Sequence, residues 1–191
     1  QVTGVSMNVV NAVMLGGDCY PATPIGVNLP NADWIREEYG SKSISLSNIT
    51  HAYHEASKES GVLTEFAATE REVALQEKYG ALSDDLHTQL HECLGHGSGR
   101  MKPGVTLDDL KAYGSTIEEA RADLFALYFM ADEKMLELGI VPSKDVAWTH
   151  YDAYLRNGLL VQLARIAEGK NIEESHMRNR QLVCKWVLER A

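Results

Sequence analysis

The chain has 191 residues, 45% of them hydrophobic and 24% charged, which is enough apolar material for one sizeable core and too much for wholesale disorder. A formal net charge of −9 argues against a nucleic-acid partner, since phosphate binding needs clustered Lys and Arg. No run of 18 apolar residues occurs, so a membrane-crossing helix is not expected. Cys19, Cys93 and Cys184 are widely spaced and form no CxxC pair, which fits a reducing, cytoplasmic setting. Nothing in the composition speaks to oligomeric state.

The chain opens on Gln1-Val2-Thr3-Gly4, without a Met and without the basic-then-apolar layout of a signal peptide. It closes on Val183-Cys184-Lys185-Trp186-Val187-Leu188, inside an amphipathic helical pattern, so both ends read as cuts through a longer protein. Residues 1–62 hold Pro21, Pro24, Pro30, the Gly16-Gly17 pair and short β-branched runs such as Ser43-Ile44-Ser45-Leu46. That composition predicts a loop-rich segment with short strands or one short helix. Residues 63–191 read as helical, with five helices expected. The first covers about 64–79 and ends at Gly80. The second covers about 83–97, stopped by Gly95-His96-Gly97-Ser98-Gly99. The third starts at Ser115, where Ser115-Thr116-Ile117-Glu118 matches a capping box. The fourth spans about 143–169, and the fifth runs from about 172 to the end.

The third helix carries Leu124-Phe125-Ala126-Leu127-Tyr128-Phe129-Met130, apolar all round, a pattern that predicts burial on every side. Its first turns nevertheless hold Glu118, Glu119, Arg121 and Asp123. Buried carboxylates are costly unless a cation or hydrogen bonds compensate, and a metal ion would do so.

His91-Glu92-Cys93-Leu94-Gly95-His96 supplies the matching donors. It resembles the H-E-x-x-H zinc motif with one extra residue before the second His. Five residues at about 100° each would splay the two rings by roughly 140° on a regular helix. One ion can take both only if the helix bulges, so a π-type distortion is expected at residues 93–96, where Gly95 tolerates a distorted backbone. Catalytic zinc takes three protein ligands. The buried-carboxylate argument nominates Glu118, Glu119 or Asp123 as the third. Glu119 shares its face with the small residues Ala122 and Ala126, while Asp123 could instead orient a ligand imidazole. Glu92 follows a ligand without being one, and a carboxylate beside zinc can accept the proton of an acidified water.

His91 to Gly99, followed by Glu118-Glu119-Ala120-Arg121-Ala122-Asp123, resembles the dipeptidyl peptidase III family of zinc exopeptidases, which pairs H-E-x-x-G-H with a downstream E-E-x-R-A-E/D motif. The resemblance implies one Zn2+ per chain, held by His91, His96 and Glu119, with Glu92 as catalytic base and Glu118 and Asp123 as acids behind the ligands. The closeness of the two motifs looks like a bacterial form. Asn28-Leu29-Pro30-Asn31, after Gly17-Asp18-Cys19-Tyr20-Pro21-Ala22-Thr23-Pro24, is similar to the family's segment for the substrate's N-terminal end, with Asn28 and Asn31 offering amide oxygens to the peptide ammonium. His176-Met177-Arg178-Asn179-Arg180 is similar to the stretch whose His and Arg steady the oxyanion and the peptide. The implied fold is mainly α: a helical zinc-binding lobe of a two-lobed metallopeptidase over 63–191, preceded by a loop and short-strand segment from the other lobe over 1–62. The implied activity is zinc-dependent release of dipeptides from the N-termini of short peptides.

Plainer roles compete at several positions. His87 lies four residues before His91, the regular spacing for a shared ion, but lacks a following Glu and reads as a polar helix residue. Glu118 serves equally as a cap. Asn28 and Asn31 are ordinary turn residues in a Pro-rich loop. His176 and Arg180 are i,i+4 neighbours that continue the apolar stripe of Val183 and Val187, which favours a cleft over solvent. Cys93 reads as packing. Two other functions fit the same residues: an inactive metal-binding fragment, and a zinc hydrolase of non-peptide amides. Asn28 and Asn31 argue against the second.

Overall fold

The computed structural model describes all residues except 1–3, 18, 20–22, 31, 100 and 162. The chain is mainly helical with a small three-stranded sheet. Strands β1 (Ser6–Val10), β2 (Gly26–Leu29) and β3 (Lys42–Leu46) lie in the order β1-β3-β2. β3 runs parallel to β1 and antiparallel to β2, with Asn28 opposite Ser43. The strand read at Ser43–Leu46 is thus the centre of the sheet. Ser41, Ser43 and Ser45 are buried beside it, and these small polar side chains leave room for another element to come close.

Helices α1 (Asp33–Tyr39) and α2 (Ser47–Lys58) interleave with the strands, and α3 (Val62–Phe66) follows. The twelve-residue α2 exceeds the one short helix expected before residue 62. Its sequence is polar, and only Thr50 is buried, so no apolar stripe announced it.

The helices expected at 64–79 and 83–97 are one. α4 (Glu70–Leu90) is capped by the Thr69 side chain, which accepts from the Glu72 N–H. Gly80 and Ser83, read as a break, are buried within it against neighbouring helices. α4 passes directly into a π-helical turn, His91–His96, as the five-residue spacing required. The Gly97 N–H donates to the Glu92 carbonyl at 3.0 Å, an i to i+5 bond.

α5 (Gly114–Met130) follows a 3-10 segment, Leu107–Tyr113. The capping box expected at Ser115 is not formed, because the helix starts one residue earlier and Glu118 is drawn elsewhere. A capping box forms upstream instead, between Thr106 and Asp109. Nor is α5 buried on every side. Its Ala120, Ala122, Asp123, Ala126 and Met130 stripe is covered, while Leu124 and Tyr128 are 50% and 71% exposed. Among the described residues, α5 packs mainly against the π turn, α8, α4 and the 3-10 segment.

After α6 (Glu133–Glu137), the helix expected over 143–169 is interrupted: α7 (Asp145–Arg156) gives way to a π segment, Asn157–Val161, and a 3-10 turn, Leu163–Arg165. α8 (Ser175–Leu188) ends the fold. Leu86 and Leu90 of α4, Ala126 and Met130 of α5, and Val146 and Ala147 of α7 form the main core, and Tyr154, Val183 and Cys184 a smaller one under α8. Among the described residues, no helix is long and apolar enough to cross a membrane.

Candidate metal centre

The π turn changes the direction of His96. The His91 and His96 rings lie 4.6 Å apart, nearly perpendicular, although five residues separate them. Gly95 makes this compatible with a close α5, though not by adopting an unusual backbone angle. A Cβ there would fall 2.7 Å from Ala122 Cα and Cβ, so glycine is required by the close approach itself. Arg36 of α1 donates to the His96 carbonyl at 2.9 Å and fixes the far end of the turn.

α5 meets the turn with three carboxylates, each with a different task. Asp123 Oδ1 lies 2.7 Å from His91 Nδ1, and Glu118 Oε1 lies 3.0 Å from His96 Nδ1. Both acids are held in their charged forms. For Glu118, burial opposes ionisation, but bonds from His96 and Arg121 outweigh it and bring the carboxyl to about 2. For Asp123, burial again opposes, and the His91 bond together with the charges of His91 and Arg180 prevails. Carboxylates only accept, so in both histidines Nδ1–H donates. The Nε2 atoms are left facing a third group. That group is Glu119: its Oε2 lies 3.3 Å from His91 Nε2 and 3.5 Å from His96 Nε2.

These separations are too long for well-formed hydrogen bonds, and Glu119 Oε2 is buried without one. Two imidazole lone pairs and a carboxylate oxygen therefore face a common space, the donor set of a nitrogen and oxygen metal site. A divalent cation could be held by His91 and Glu119, with His96 reaching the same carboxylate oxygen at 3.5 Å but lying outside the groups of donor atoms that all fall within 4.8 Å of one another. Without one, the site recruits protons. Burial opposes charging of His91, but the Asp123 and Glu119 carboxylates raise it to about 10. Burial opposes charging of His96 too, and Glu118 and Glu119 raise it to about 9.

Glu92 is buried, and its carboxyl is pushed above the ordinary carboxylate range by burial, against the opposing pull of His91 and His96. Strand β2 closes over it. A Cβ on Gly26 would fall 2.7 Å from Glu92 Oε1, so the strand approaches this carboxylate as only a glycine allows. Two residues on, Asn28 Nδ2 lies 2.6 Å from Ser41 Oγ, 2.8 Å from Ser43 Oγ and 3.2 Å from the Glu92 carbonyl. A carbonyl only accepts, which fixes the amide with nitrogen inward and leaves Oδ1 as an available acceptor. Asn31 lies outside the described residues.

α8 brings His176 to the same centre. Its Nε2 lies 3.3 Å from Glu119 Oε2, and the donor atoms of His91, Glu119 and His176 all lie within 4.8 Å of one another. The Arg180 guanidinium lies over the Tyr154 ring, 4.7 Å from the centroid.

Several supporting residues were not legible in the sequence. Tyr154 Oη donates to Asp123 Oδ2 at 2.7 Å, and Asn179 Nδ2 donates to the same oxygen at 2.6 Å. Glu174 lies 2.7 Å from His176 Nδ1. His87, which reads in the sequence as a polar helix residue, is buried and stacked 4.3 Å from His150, with Nε2 3.4 Å from Asp123 Oδ1. Burial and the neighbouring His150 keep it well below its usual pKa, hence neutral. His87, His91 and Asp123 could also surround an ion. That arrangement would use His91 Nδ1, whose proton Asp123 already accepts, so the Glu119 side is the better site.

Comparison with known proteins points to one group of peptidases. The model of peptidase family M49 matches residues 17–102. Dipeptidyl peptidase 3 of Mus musculus is 27% identical over 199 residues, covering 87% of this chain and 26% of that protein. The structure of dipeptidyl peptidase III from Caldithrix abyssi superposes with a TM-score of 0.71 at 27% identity, covering 96% of this chain and 34% of that one. The enzyme from Corallococcus sp. strain EGB gives a TM-score of 0.74 at 24% identity, with 96% and 33% covered, a likeness of fold. The chain thus spans about a quarter of the length of the curated relative and a third of the solved structures. By motif, sequence and fold, the chain is similar to peptidase family M49 and to the dipeptidyl peptidases III.

Proposed function

We propose that this chain carries the zinc centre of an aminodipeptidase, a metallopeptidase that releases dipeptides from the N-termini of short peptides. One Zn2+ would be held by His91, His96 and Glu119. The observation that carries the reading is the convergence of His91 Nε2 and His96 Nε2 on Glu119 Oε2, a buried oxygen without a hydrogen bond. Bound there, zinc supplies Lewis acidity, polarising the scissile carbonyl and lowering the pKa of water at the site to about 7.

The chain's own residues do the rest. Glu118 and Asp123 fix the tautomers and headings of the two imidazoles. Glu92 takes the water proton at a carboxylate oxygen and returns it to the leaving amine. Burial raises its proton affinity, which favours proton pickup from the water. Asn28 Oδ1, with Asn31, receives the peptide ammonium. His176 offers a ring nitrogen and Arg180 a positive charge to the developing oxyanion. In this reading residues 1–62 hold the substrate's N-terminal end and 63–191 hold the metal. Three free cysteines suit a cytoplasmic enzyme.

Glu92→Gln tests the assignment. The variant should retain zinc, measured by elemental analysis, and lose hydrolysis of dipeptidyl-naphthylamide substrates. Retained hydrolysis refutes the base. Because the chain spans about a quarter of the curated relative, a second reading is metal binding without turnover. Zinc uptake with no hydrolysis by the unaltered chain supports it.

A further inference from the structure

Asp152 and Arg156 lie one turn apart on α7, the spacing of a helical ion pair, yet the pair is not made. Arg156 reaches across to Glu72 of α4 instead, and the other nearby arginine, Arg71, meets Asp145 at 3.3 Å. The positive end of α4 is answered within its own first turn by Glu70 and Glu72. Among the described residues, Asp152 is thus left with neither a hydrogen bond nor an ion pair, although Arg156 and Arg71 attract it from a distance. Partial burial and the charge of Glu72 raise its proton affinity against the pull of both arginines. That is the mark of a negative charge short of counter-charge.

This carboxylate lines a cavity of about 310 Å³ between the start of α4 and α7, together with Arg71 and Glu72. Ala68, Leu75 and Trp148 give the cavity its apolar walls. Trp148 is 56% exposed, but its ring is held edge-on by Tyr151 at 5.6 Å, and the Tyr151 hydroxyl is anchored on the Leu127 carbonyl at 2.7 Å. An indole and an unpaired carboxylate both attract positive charge, and apolar walls take an aliphatic stem. The cavity is at the small end of ligand pockets, which run from about 300 to 1,000 Å³, so it suits one side-chain-sized group. It lies at the opposite end of α4 from His91, roughly 30 Å away along a helix that rises about 1.5 Å per residue.

We infer that the cavity beside Asp152 and Trp148 is a binding site for an organic cation, a guanidinium or ammonium group on an aliphatic stem. A free diamine offers this chemistry, and so does an arginine or lysine side chain of a polypeptide. The site is separate from the metal centre and does not depend on the zinc reading.

The test titrates the full chain with agmatine and, separately, with N-acetyl-arginine N-methylamide. It follows the indole N–H signals of Trp34, Trp148 and Trp186 by NMR, with Trp148→Phe assigning the reporter. Either cation should move the Trp148 signal saturably and leave those of Trp34 and Trp186 in place. Tighter binding of the capped arginine identifies a polypeptide side chain as the source, and tighter binding of agmatine a free diamine. N-acetyl-citrulline N-methylamide, alike in shape but uncharged, should leave the signal unmoved. Asp152→Asn should weaken binding by roughly five- to tenfold, as loss of one charge-assisted contact at a partly exposed site. Added salt should weaken it too. Equal shifts from the citrulline compound, undiminished binding by Asp152→Asn, or a Trp148 signal that stays still at tens of millimolar of both cations overturns the proposal. Asp152 keeps exposed surface, so Asp152→Asn should fold, which far-UV circular dichroism checks; the citrulline comparison decides on the unaltered chain in either case.

Discussion

Asn179 of α8, with no exposed surface, donates its amide to Asp123 Oδ2 at 2.6 Å across a separation of 56 residues. Tyr154 donates to the same oxygen, so Oδ1 is left for His91. The pair thereby ties the heading of one imidazole to the seating of the last helix. Asn179→Ala removes a donor from a buried carboxylate and should cost about 1–3 kcal/mol of stability. Zinc affinity should fall together with it, and Tyr154→Phe should show the same signature more weakly. Chemical denaturation and chelator competition measure the two effects. An Asn179→Ala protein destabilised but with unchanged zinc affinity would show that Asp123 keeps its place without α8.

Gly95 governs the spacing of the two ligand-bearing elements. In Gly95→Ala the new methyl would meet Ala122 at 2.7 Å from both its backbone α-carbon and its side-chain methyl. The backbones must part, at about 1–3 kcal/mol for overpacking a tight interface. Glu119 would move with α5, so zinc affinity should drop alongside the thermal midpoint. Ala122→Gly in the same chain should restore only part of the loss, because the clash with the α5 backbone at residue 122 persists. Full rescue by Ala122→Gly would argue against a backbone clash.

Asn28→Ala separates two roles of one amide. Loss of an acceptor for a charged ammonium is worth about 1.5–3 kcal/mol, or roughly ten- to a hundredfold in kcat/KM. The loss should fall on KM for dipeptidyl substrates. A fall in kcat at constant KM would mean that Asn28 acts only by holding the Glu92 carbonyl, 3.2 Å from its Nδ2.

How far the sequence anticipates this site depends on the range of the forces involved. The π turn was legible because angular arithmetic over five residues leaves no other way to bring His91 and His96 together. The carboxylates of α5 were legible because charge beside an apolar helix needs a partner. Glu118 was left between a cap and an acid behind a ligand; Arg121 grips it in a local bidentate pair and His96 takes the remaining direction, and the second of these partners comes from another element. Tyr154, Asn179 and Glu174 carry no local signal at all. Each matters only through the oxygen or nitrogen that tertiary packing sets before it. The exposed Leu124 and Tyr128 show the converse: an apolar pattern states that a face wants cover, not what covers it.

The charge pattern of the metal-free site dictates how its stability follows pH. His91 and His96 rise in the fold to about 10 and about 9 from an ordinary 6.5. Their contribution is complete below about pH 6.5 and is lost as pH climbs through 9 to 10. Glu118 falls to about 2 from 4.5, and Glu119 and Asp123 are lowered too. Their contribution is complete above about pH 4.5 and is lost as pH falls toward 2. With chelator present, the denaturation midpoint should therefore peak between about pH 4.5 and 6.5 and decline on both sides. Zinc ligands must be neutral imidazoles, so loading the site at pH 7 should expel about two protons, one each from His91 and His96. Calorimetry in buffers of different ionisation enthalpy counts them. Zinc should also flatten the alkaline decline, because coordinated imidazole no longer gains from protonation. A metal-free chain whose stability is level from pH 6 to 10, with no proton release on zinc binding, would mean that the two rings stand neutral and do not face Glu119 as a charged pair.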